Sequence, residues 1–121
     1  GGKNSVARYM DSIERLWEVI GGYNVGLCLD TCHTWAGGIP TADAVKGFKK
    51  LVKKIDLVHF NDSKDGFESS RDRHENLGKG KIPKSELEYV INNVKTDIIV
   101  ETPGGLEAQK KDIAWIRRRC K

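Results

Sequence analysis

Histidine and acidic side chains recur at short spacings in this sequence, and together they are the side chains that bind divalent metal ions. Asp30 and His33 are three residues apart, and Asp72 and His74 are separated by one residue. The candidate set is Asp30, His33, His59, Asp72, His74 and Glu101. Mixtures of imidazole and carboxylate suit Zn²⁺, and also Mn²⁺ or Fe²⁺. The first hypothesis is therefore a metal centre that uses all three histidines of the chain.

Each candidate also has an ordinary structural explanation. Asp30 can cap the start of a helix, and His59 lies in an apolar segment, where a histidine is usually a hydrogen-bonded core residue. Asp72 and His74 can belong to a charged surface turn, and Glu101 can simply end a strand. The metal hypothesis is stronger for the set than for any single member.

Apolar patterns predict helices that alternate with strands. Spacings of three and four predict amphipathic helices at residues 6–20, 41–55, 83–94 and 106–118. Nearly continuous apolar runs predict buried strands at 24–30, 55–60 and 97–100. Asn4 and Ser5 are expected to cap the first helix and Thr41 the second, and residues 63–81 are expected to form a loop. The order predicts an α/β fold with parallel strands.

The candidate ligands lie at the ends of the predicted strands or in the loop after the second one. Side chains from separate parallel strands converge at the carboxyl ends, where α/β proteins hold their active sites. Three strands cannot close a TIM (β/α)₈ barrel, which needs eight strands and roughly 250 residues. We therefore expect one domain over residues 1–121 that forms about half a barrel, with a helix followed by three parallel β-α units.

The composition limits the classes of partner. With 121 residues and 38% hydrophobic content, the chain has room for a modest core. No segment approaches the roughly 20 apolar residues of a membrane span, so no membrane partner is expected. The net charge of +4 permits a nucleic-acid partner without requiring one. The three cysteines form no CxxC pair and favour a reduced intracellular compartment. Because the chain begins at Gly1, almost directly on a helical pattern, we expect a piece of a longer protein.

Three further features have competing explanations. Residues 78–81 (GKGK) can bind phosphate, but a flexible turn is the favoured interpretation. The basic run 117–119 more readily complements a helix dipole than binds nucleic acid. Cys32 lies between two candidate ligands, but its side chain is expected to point away from theirs, so it is left out of the set.

Four segments, in order along the chain, form a specific set of motifs. They are residues 29–33 (LDTCH), 59–64 (HFNDSK), 72–78 (DRHENLG) and 100–104 (VETPG). These segments resemble the C-terminal signatures of the endonuclease IV family. Its members are apurinic/apyrimidinic (AP) endonucleases with a three-zinc site on a (β/α)₈ barrel, and they cleave the DNA backbone 5′ to abasic sites.

The resemblance implies roles for particular residues. One zinc would be bound by His33, Asp72 and His74. A second zinc would be bound by Asp30, His59 and Glu101, together with a glutamate from an earlier strand. Glu101 is also the catalytic candidate. Arg73 and the loop 61–64, with Lys64, lie where the family approaches the DNA backbone.

The resemblance also implies what this chain lacks. The family's first five strands are absent, with two histidines and the bridging glutamate that hold the remaining zinc. We therefore expect the chain to bind zinc at no more than two sites, with Mn²⁺ as an alternative ion. Cleavage of DNA with abasic sites is expected to be weak or absent. The setting is expected to be the cytoplasm, or the nucleus in a eukaryote.

Two other functions stay open. A xylose-isomerase-like sugar isomerase or epimerase also collects His, Asp and Glu ligands at strand ends, usually for Mn²⁺ or Mg²⁺, although residues 72–78 favour the nuclease. A non-catalytic half-barrel, completed by another chain or by self-association, is the second alternative. Its partner would cover the apolar strands 25–29 and 98–100 and the open sheet edges.

Overall fold

A three-stranded parallel sheet and its flanking helices make up most of the computed structural model, which describes residues 2–121. The elements are α1 (Met10–Ile20), β1 (Cys28–Asp30), α2 (Thr31–Gly37), α3 (Thr41–Leu51), β2 (Leu57–His59), β3 (Asp62–Ser63), β4 (His74–Glu75), α4 (Lys84–Asn93), β5 (Asp97–Ile99) and α5 (Gly105–Arg119). No helix within the described residues is long and apolar enough to cross a membrane.

The sheet has the order β1-β2-β5, and both strand pairs are parallel. In register, Asp30 is level with His59, and His59 is level with Ile99. The predicted α/β fold with parallel strands is therefore confirmed. Within residues 2–121, β1 and β5 each have a single strand neighbour, so both edges of the sheet are open.

The two faces of the sheet differ in burial. Leu29 and Val58 are fully buried and join the main apolar cluster with core residues of the helices. Burying such a side chain stabilises the fold by roughly 1.5–3 kcal/mol. On the opposite face Cys28 and Ile99 are exposed, and Ile99 retains 46% of its accessible surface. The helices therefore cover one face, and the other face is open.

Several predicted boundaries were wrong. The first helix begins at Met10 rather than near Val6, and its N-cap, Tyr9, makes no side-chain capping bond, so Asn4 and Ser5 do not cap it. Helix α3 begins at Thr41 with Pro40 as N-cap. Its start is instead capped from α4, because the Ala42 backbone N–H donates to Glu86 Oε2 at 2.7 Å.

The strands are shorter than predicted, and one helix was missed. Residues 24–26 are exposed and precede β1 without joining the sheet. Helix α2 follows β1 without an intervening residue, and Gly38 ends it with a φ of 102° in the left-handed region. Glycine adopts this conformation without steric cost, which explains the sharp end of so short a helix.

The predicted loop 63–81 contains a small hairpin that the sequence did not indicate. Strands β3 and β4 pair antiparallel, with Asp62 opposite Glu75 and Ser63 opposite His74. Two-residue strands leave no apolar periodicity to detect. The hairpin fixes His74 and the residues just before it relative to the end of β2.

A buried carboxylate, Asp62, fixes the segment after the hairpin. It accepts backbone N–H bonds from Ser63 at 2.8 Å, Gly78 at 2.9 Å, Gly80 at 3.0 Å and Ile82 at 3.1 Å. Burial raises the pKa of Asp62, and these N–H donors partly offset the rise. A Cβ at Gly80 would collide with Asp62, so glycine is required there. Because these N–H groups point inward, segment 78–81 is a turn and its backbone does not form a phosphate loop.

We expect Asp62→Asn to lower the free energy of unfolding by about 2–5 kcal/mol. The amide nitrogen would face two of the backbone N–H groups and leave them without acceptors, at roughly 1–3 kcal/mol each. Urea titration monitored by circular dichroism measures the change. Asp43→Asn, on the exposed surface of α3, is the matched control and should shift stability by no more than about 0.5 kcal/mol. Equal stability of the two variants would contradict the assigned role of Asp62.

Candidate metal centre

The carboxyl ends of the three parallel strands bring one group of candidate ligands together. Asp30 ends β1, His59 ends β2, and Glu101 follows β5 after one intervening residue. One potential ligand atom from each lies within 4.8 Å of those of the other two. The predicted convergence of Asp30, His59 and Glu101 is therefore present in the structure.

Asp30 uses its two oxygens differently. Its Oδ1 accepts the His33 backbone N–H at 2.9 Å and so caps helix α2. Its Oδ2 is buried, has no hydrogen-bond partner within residues 2–121, and lies 3.8 Å from His59 Nδ1. The capping explanation is thus correct for one oxygen, while the other faces the candidate ligands. A buried carboxylate oxygen without a partner is costly, and a bound cation would remove that cost.

His59 and Glu101 face each other across the strand ends. Their Nδ1 and Oε2 atoms are 3.3 Å apart, and the His59 side chain is 32% exposed on the open face. His59 is therefore not the hydrogen-bonded core residue that its apolar neighbours suggested. Asn61 contacts Glu101 on the other side, with its Nδ2 donating to Glu101 Oε2 at 3.2 Å.

A second group forms around Asp72. His33 Nε2 lies 2.6 Å from Asp72 Oδ2, and His74 Nε2 lies 3.3 Å from Asp72 Oδ1. Burial by itself would raise the pKa of Asp72, but the hydrogen bond from His33 and the charges of both histidines lower it below its ordinary value. Asp72 is therefore ionised at neutral pH, as a metal ligand must be.

The tautomer of His74 follows from its contacts. Its Nδ1 lies 3.2 Å from the backbone carbonyl of Glu101, which can only accept a hydrogen bond, so Nδ1 carries the proton. In the neutral ring Nε2 then has a lone pair. That atom is buried and has no hydrogen-bond partner within residues 2–121. A neutral ring would thus offer Nε2 to a metal ion, whereas a charged ring places an N–H 3.3 Å from Asp72 Oδ1.

The predicted orientation of Cys32 was wrong. Its side chain is fully buried, and its sulfur lies within 4.8 Å of potential ligand atoms of Asp72 and His74. Burial raises the pKa of Cys32 to about 12, so without a metal it is a thiol. Asp30, His33 and His74 also form a compatible group, so the two ligand groups lie close to each other. Helix α2, which was not predicted, determines the direction of Cys32.

The residues predicted to approach DNA have different environments. Arg73 forms a bidentate ion pair with Asp65, with N–O distances of 2.8 Å and 2.7 Å, while Lys64 is exposed. Residues 61–63 are fully buried, so their predicted contact with a DNA backbone is wrong. Residues 62–63 pair with β4, and Asp62 binds the turn, which explains their burial.

Comparison with known proteins identifies relatives of this chain. It is 47% identical over 119 residues to a probable endonuclease 4 of Mycobacterium bovis, and 45% identical over 119 residues to one of Mycobacterium leprae. Each match covers 98% of this chain and 46% of the relative, so the chain spans about half the length of the curated relatives it matches. The crystal structure of endonuclease IV from Thermus thermophilus superposes with a TM-score of 0.77 at 29% identity, over 98% of this chain and 46% of that structure.

These matches confirm the resemblance to endonuclease IV that the four motifs indicated. They also confirm the prediction of a partial barrel, because the superposition covers nearly all of this chain and about half of a longer one. The family of xylose isomerase-like TIM barrels matches residues 2–119. The chain belongs to the xylose isomerase-like TIM barrel family.

Proposed function

We propose that this chain is the C-terminal half of a zinc-dependent DNA-repair phosphodiesterase of the endonuclease IV type, which cleaves the backbone 5′ to abasic sites. In this proposal His33, Asp72 and His74 bind one zinc ion, and Asp30, His59 and Glu101 bind another. Similarity to proteins named endonuclease 4 over 98% of the chain supports the assignment. The same activity places the protein in the cytoplasm, or in the nucleus of a eukaryote.

Three buried side-chain polar atoms make no hydrogen bond within residues 2–121, and two of them carry the proposal. The third, Thr41 Oγ1, lies at the start of α3. Asp30 Oδ2 and His74 Nε2 both lack hydrogen bonds within residues 2–121, and both belong to the groups of potential ligands. Buried polar atoms are almost always paired, and an unpaired one costs roughly 1–3 kcal/mol. That both occur among the six predicted ligands supports a bound cation rather than a surface turn.

The residues of the site have separate roles in the proposed reaction. When bound, zinc supplies Lewis-acid stabilisation of negative charge on a phosphodiester oxygen. Asp72 orients the rings of His33 and His74, and the Glu101 carbonyl holds His74 in the tautomer that leaves Nε2 free. Lys64 is exposed and cationic, so it can contact a DNA phosphate. Arg73 would have to break its ion pair with Asp65 before it could contact a phosphate.

In this proposal the 121 residues supply only part of the family site. The chain spans about half the length of the relatives it matches, and the resemblance implies that the third zinc is held by two histidines and a bridging glutamate from the other half. Both open sheet edges are flanked by apolar cavities, of about 490 Å³ beside β1 and about 450 Å³ beside β5. We propose that another barrel half covers these edges, either the missing N-terminal half or a second copy of this chain.

Zinc stoichiometry tests the two ligand groups. We expect about two zinc ions per 121-residue chain after equilibrium dialysis, measured by atomic emission. His74→Ala should lose the ion of the Asp72 group, and Glu101→Ala should lose the other. Glu107→Ala, an exposed glutamate near the start of α5, is the matched control and should keep both ions. Wild-type chain that binds no zinc, or a Glu101→Ala variant that matches Glu107→Ala, would contradict the assignment.

Incision of a duplex with one abasic site tests the reaction. We expect cleavage by the zinc-loaded chain to be at least about 100-fold slower than by a full-length relative. Mutation of residues that merely hydrogen-bond to metal ligands already lowers activity about 10–100-fold, and in this proposal one of the three ions is missing. Any product should carry its break 5′ to the lesion, and an intact duplex serves as control. Turnover close to that of the relative would overturn the expected inactivity. Ketose–aldose interconversion without incision would support the sugar isomerase instead.

Light scattering after size-exclusion chromatography tests whether the open edges are covered. We expect a dimer or larger species, because Leu106 and Ile113 are exposed beside β5. Ile113→Lys should shift the population towards monomer, whereas Glu107→Lys on the same helix should not. A stable wild-type monomer at high micromolar concentration would argue against self-association and in favour of the missing N-terminal half as the partner.

A further inference from the structure

Glu101 is held by a side chain that the ligand predictions did not include. Its backbone N–H donates to Asn61 Oδ1 at 2.8 Å, and its Oε2 accepts from Asn61 Nδ2 at 3.2 Å. The same Oε2 lies 3.3 Å from His59 Nδ1. The Glu101 side chain is 40% exposed, so packing does little to restrict its rotamers. The Asn61 amide therefore determines where the carboxylate of Glu101 lies.

Asn61 is in turn fixed by the hydroxyl of Thr31. Thr31 Oγ1 accepts the Asn61 backbone N–H at 2.8 Å and donates to the Asn61 carbonyl at 2.6 Å. Strand β1 ends at Asp30 and helix α2 begins at Thr31, so the backbone of Thr31 is no longer part of the sheet. The hydroxyl supplies the hydrogen bonds that a continuing strand would have made. Both residues are fully buried.

We infer that Asn61, supported by Thr31, is the positioning residue for the ligand set Asp30, His59 and Glu101. This inference rests on the proposed metal-binding function. Asn61 is not a ligand itself, since both polar atoms of its amide are used by Glu101. Its two bonds orient one oxygen of Glu101 towards His59 before an ion arrives. Loss of such outer-shell partners typically weakens metal binding 10–100-fold.

The test compares the affinities of the two zinc sites in one molecule. Asn61→Leu keeps the branched shape and the number of side-chain heavy atoms, and it removes both bonds to Glu101. We expect the Asp30–His59–Glu101 site to bind zinc about 10–100-fold more weakly in competition with a chromophoric chelator. The His33–Asp72–His74 site should keep its affinity and so serves as an internal control. Co²⁺ absorption spectra should change for the weakened site alone.

Asn92→Leu is the matched control for loss of a structural amide. Asn92 Nδ2 donates to the carbonyls of Glu88 at 2.9 Å and Arg119 at 3.3 Å, and neither residue is a candidate ligand. This variant should leave both zinc affinities unchanged. Thr31→Val, which keeps the shape and loses the hydroxyl, provides a second test if Asn61→Leu does not fold. Thr31→Val should lower the zinc affinity of the Asp30–His59–Glu101 site. Thr31→Ser, which keeps the hydroxyl, should bind zinc there as the wild type does.

The outcomes separate this inference from the function on which it rests. Selective weakening of one site, with recovery in Thr31→Ser, supports the role of Asn61. Equal weakening of both sites would identify Asn61 as a general scaffold residue and overturn the inference. Unchanged affinities in the folded variants would overturn it as well. Wild-type chain that binds no zinc would overturn the proposed function together with the inference.

Discussion

The crowding of carboxylates and imidazoles at one edge of a small sheet is the constraint on which the arrangement of this chain depends. Two carboxylates about 4 Å apart repel each other by about 4 kcal/mol at an effective dielectric constant of 20. Around Asp72, the hydrogen bond from His33 and the charges of His33 and His74 stabilise the ionised carboxylate. At Asp30 Oδ2, the Nδ1 atoms of His33 and His59 are each 3.8 Å away and make no hydrogen bond to it. A bound cation would pair with Asp30 Oδ2 and, in the neutral ring of His74, with Nε2.

The abrupt transition from β1 to α2 makes this crowding possible. Asp30 is both the last residue of the strand and the N-cap of the helix, so one oxygen is fixed by the His33 N–H and the other is directed at the ligands. Thr31 then bonds the backbone of Asn61, just after β2, through its hydroxyl. A longer connection would leave both side chains free to move. The three residues Asp30, Thr31 and His33 therefore couple local helix capping to the geometry of the site.

The sheet and the meeting of the candidate ligands at its edge could be predicted from the sequence, because both depend on residue type and on order along the chain. Asp30, His59 and Glu101 follow apolar runs, and parallel strands bring such positions to one edge. Helix α2 was missed because it is one capped and glycine-terminated segment of seven residues without an apolar stripe. The direction of Cys32 could not be predicted without it.

The polar supports were missed for a different reason. Asn61 and Asp62 look like the polar end of a strand, and only their partners far along the chain show that they are buried. Arg73 looks like a free cation beside Asp72, yet Asp65 holds its guanidinium through two bonds. Pairings of this kind depend on tertiary contacts, for which neither periodicity nor spacing gives a signal.

The bonds that orient the ligands are all made within this half of a barrel. Asp30 is fixed by α2, Glu101 by Asn61, and His74 by the Glu101 carbonyl, while the apolar core lies on the helix-covered side of the sheet. The opposite face, with Cys28, His59 and Ile99, would be covered by the rest of a barrel. None of these orienting bonds requires that face to be covered, because each is made between the described residues themselves. Under the proposed function, metal binding would therefore depend on these local bonds, and catalysis on closure of the barrel.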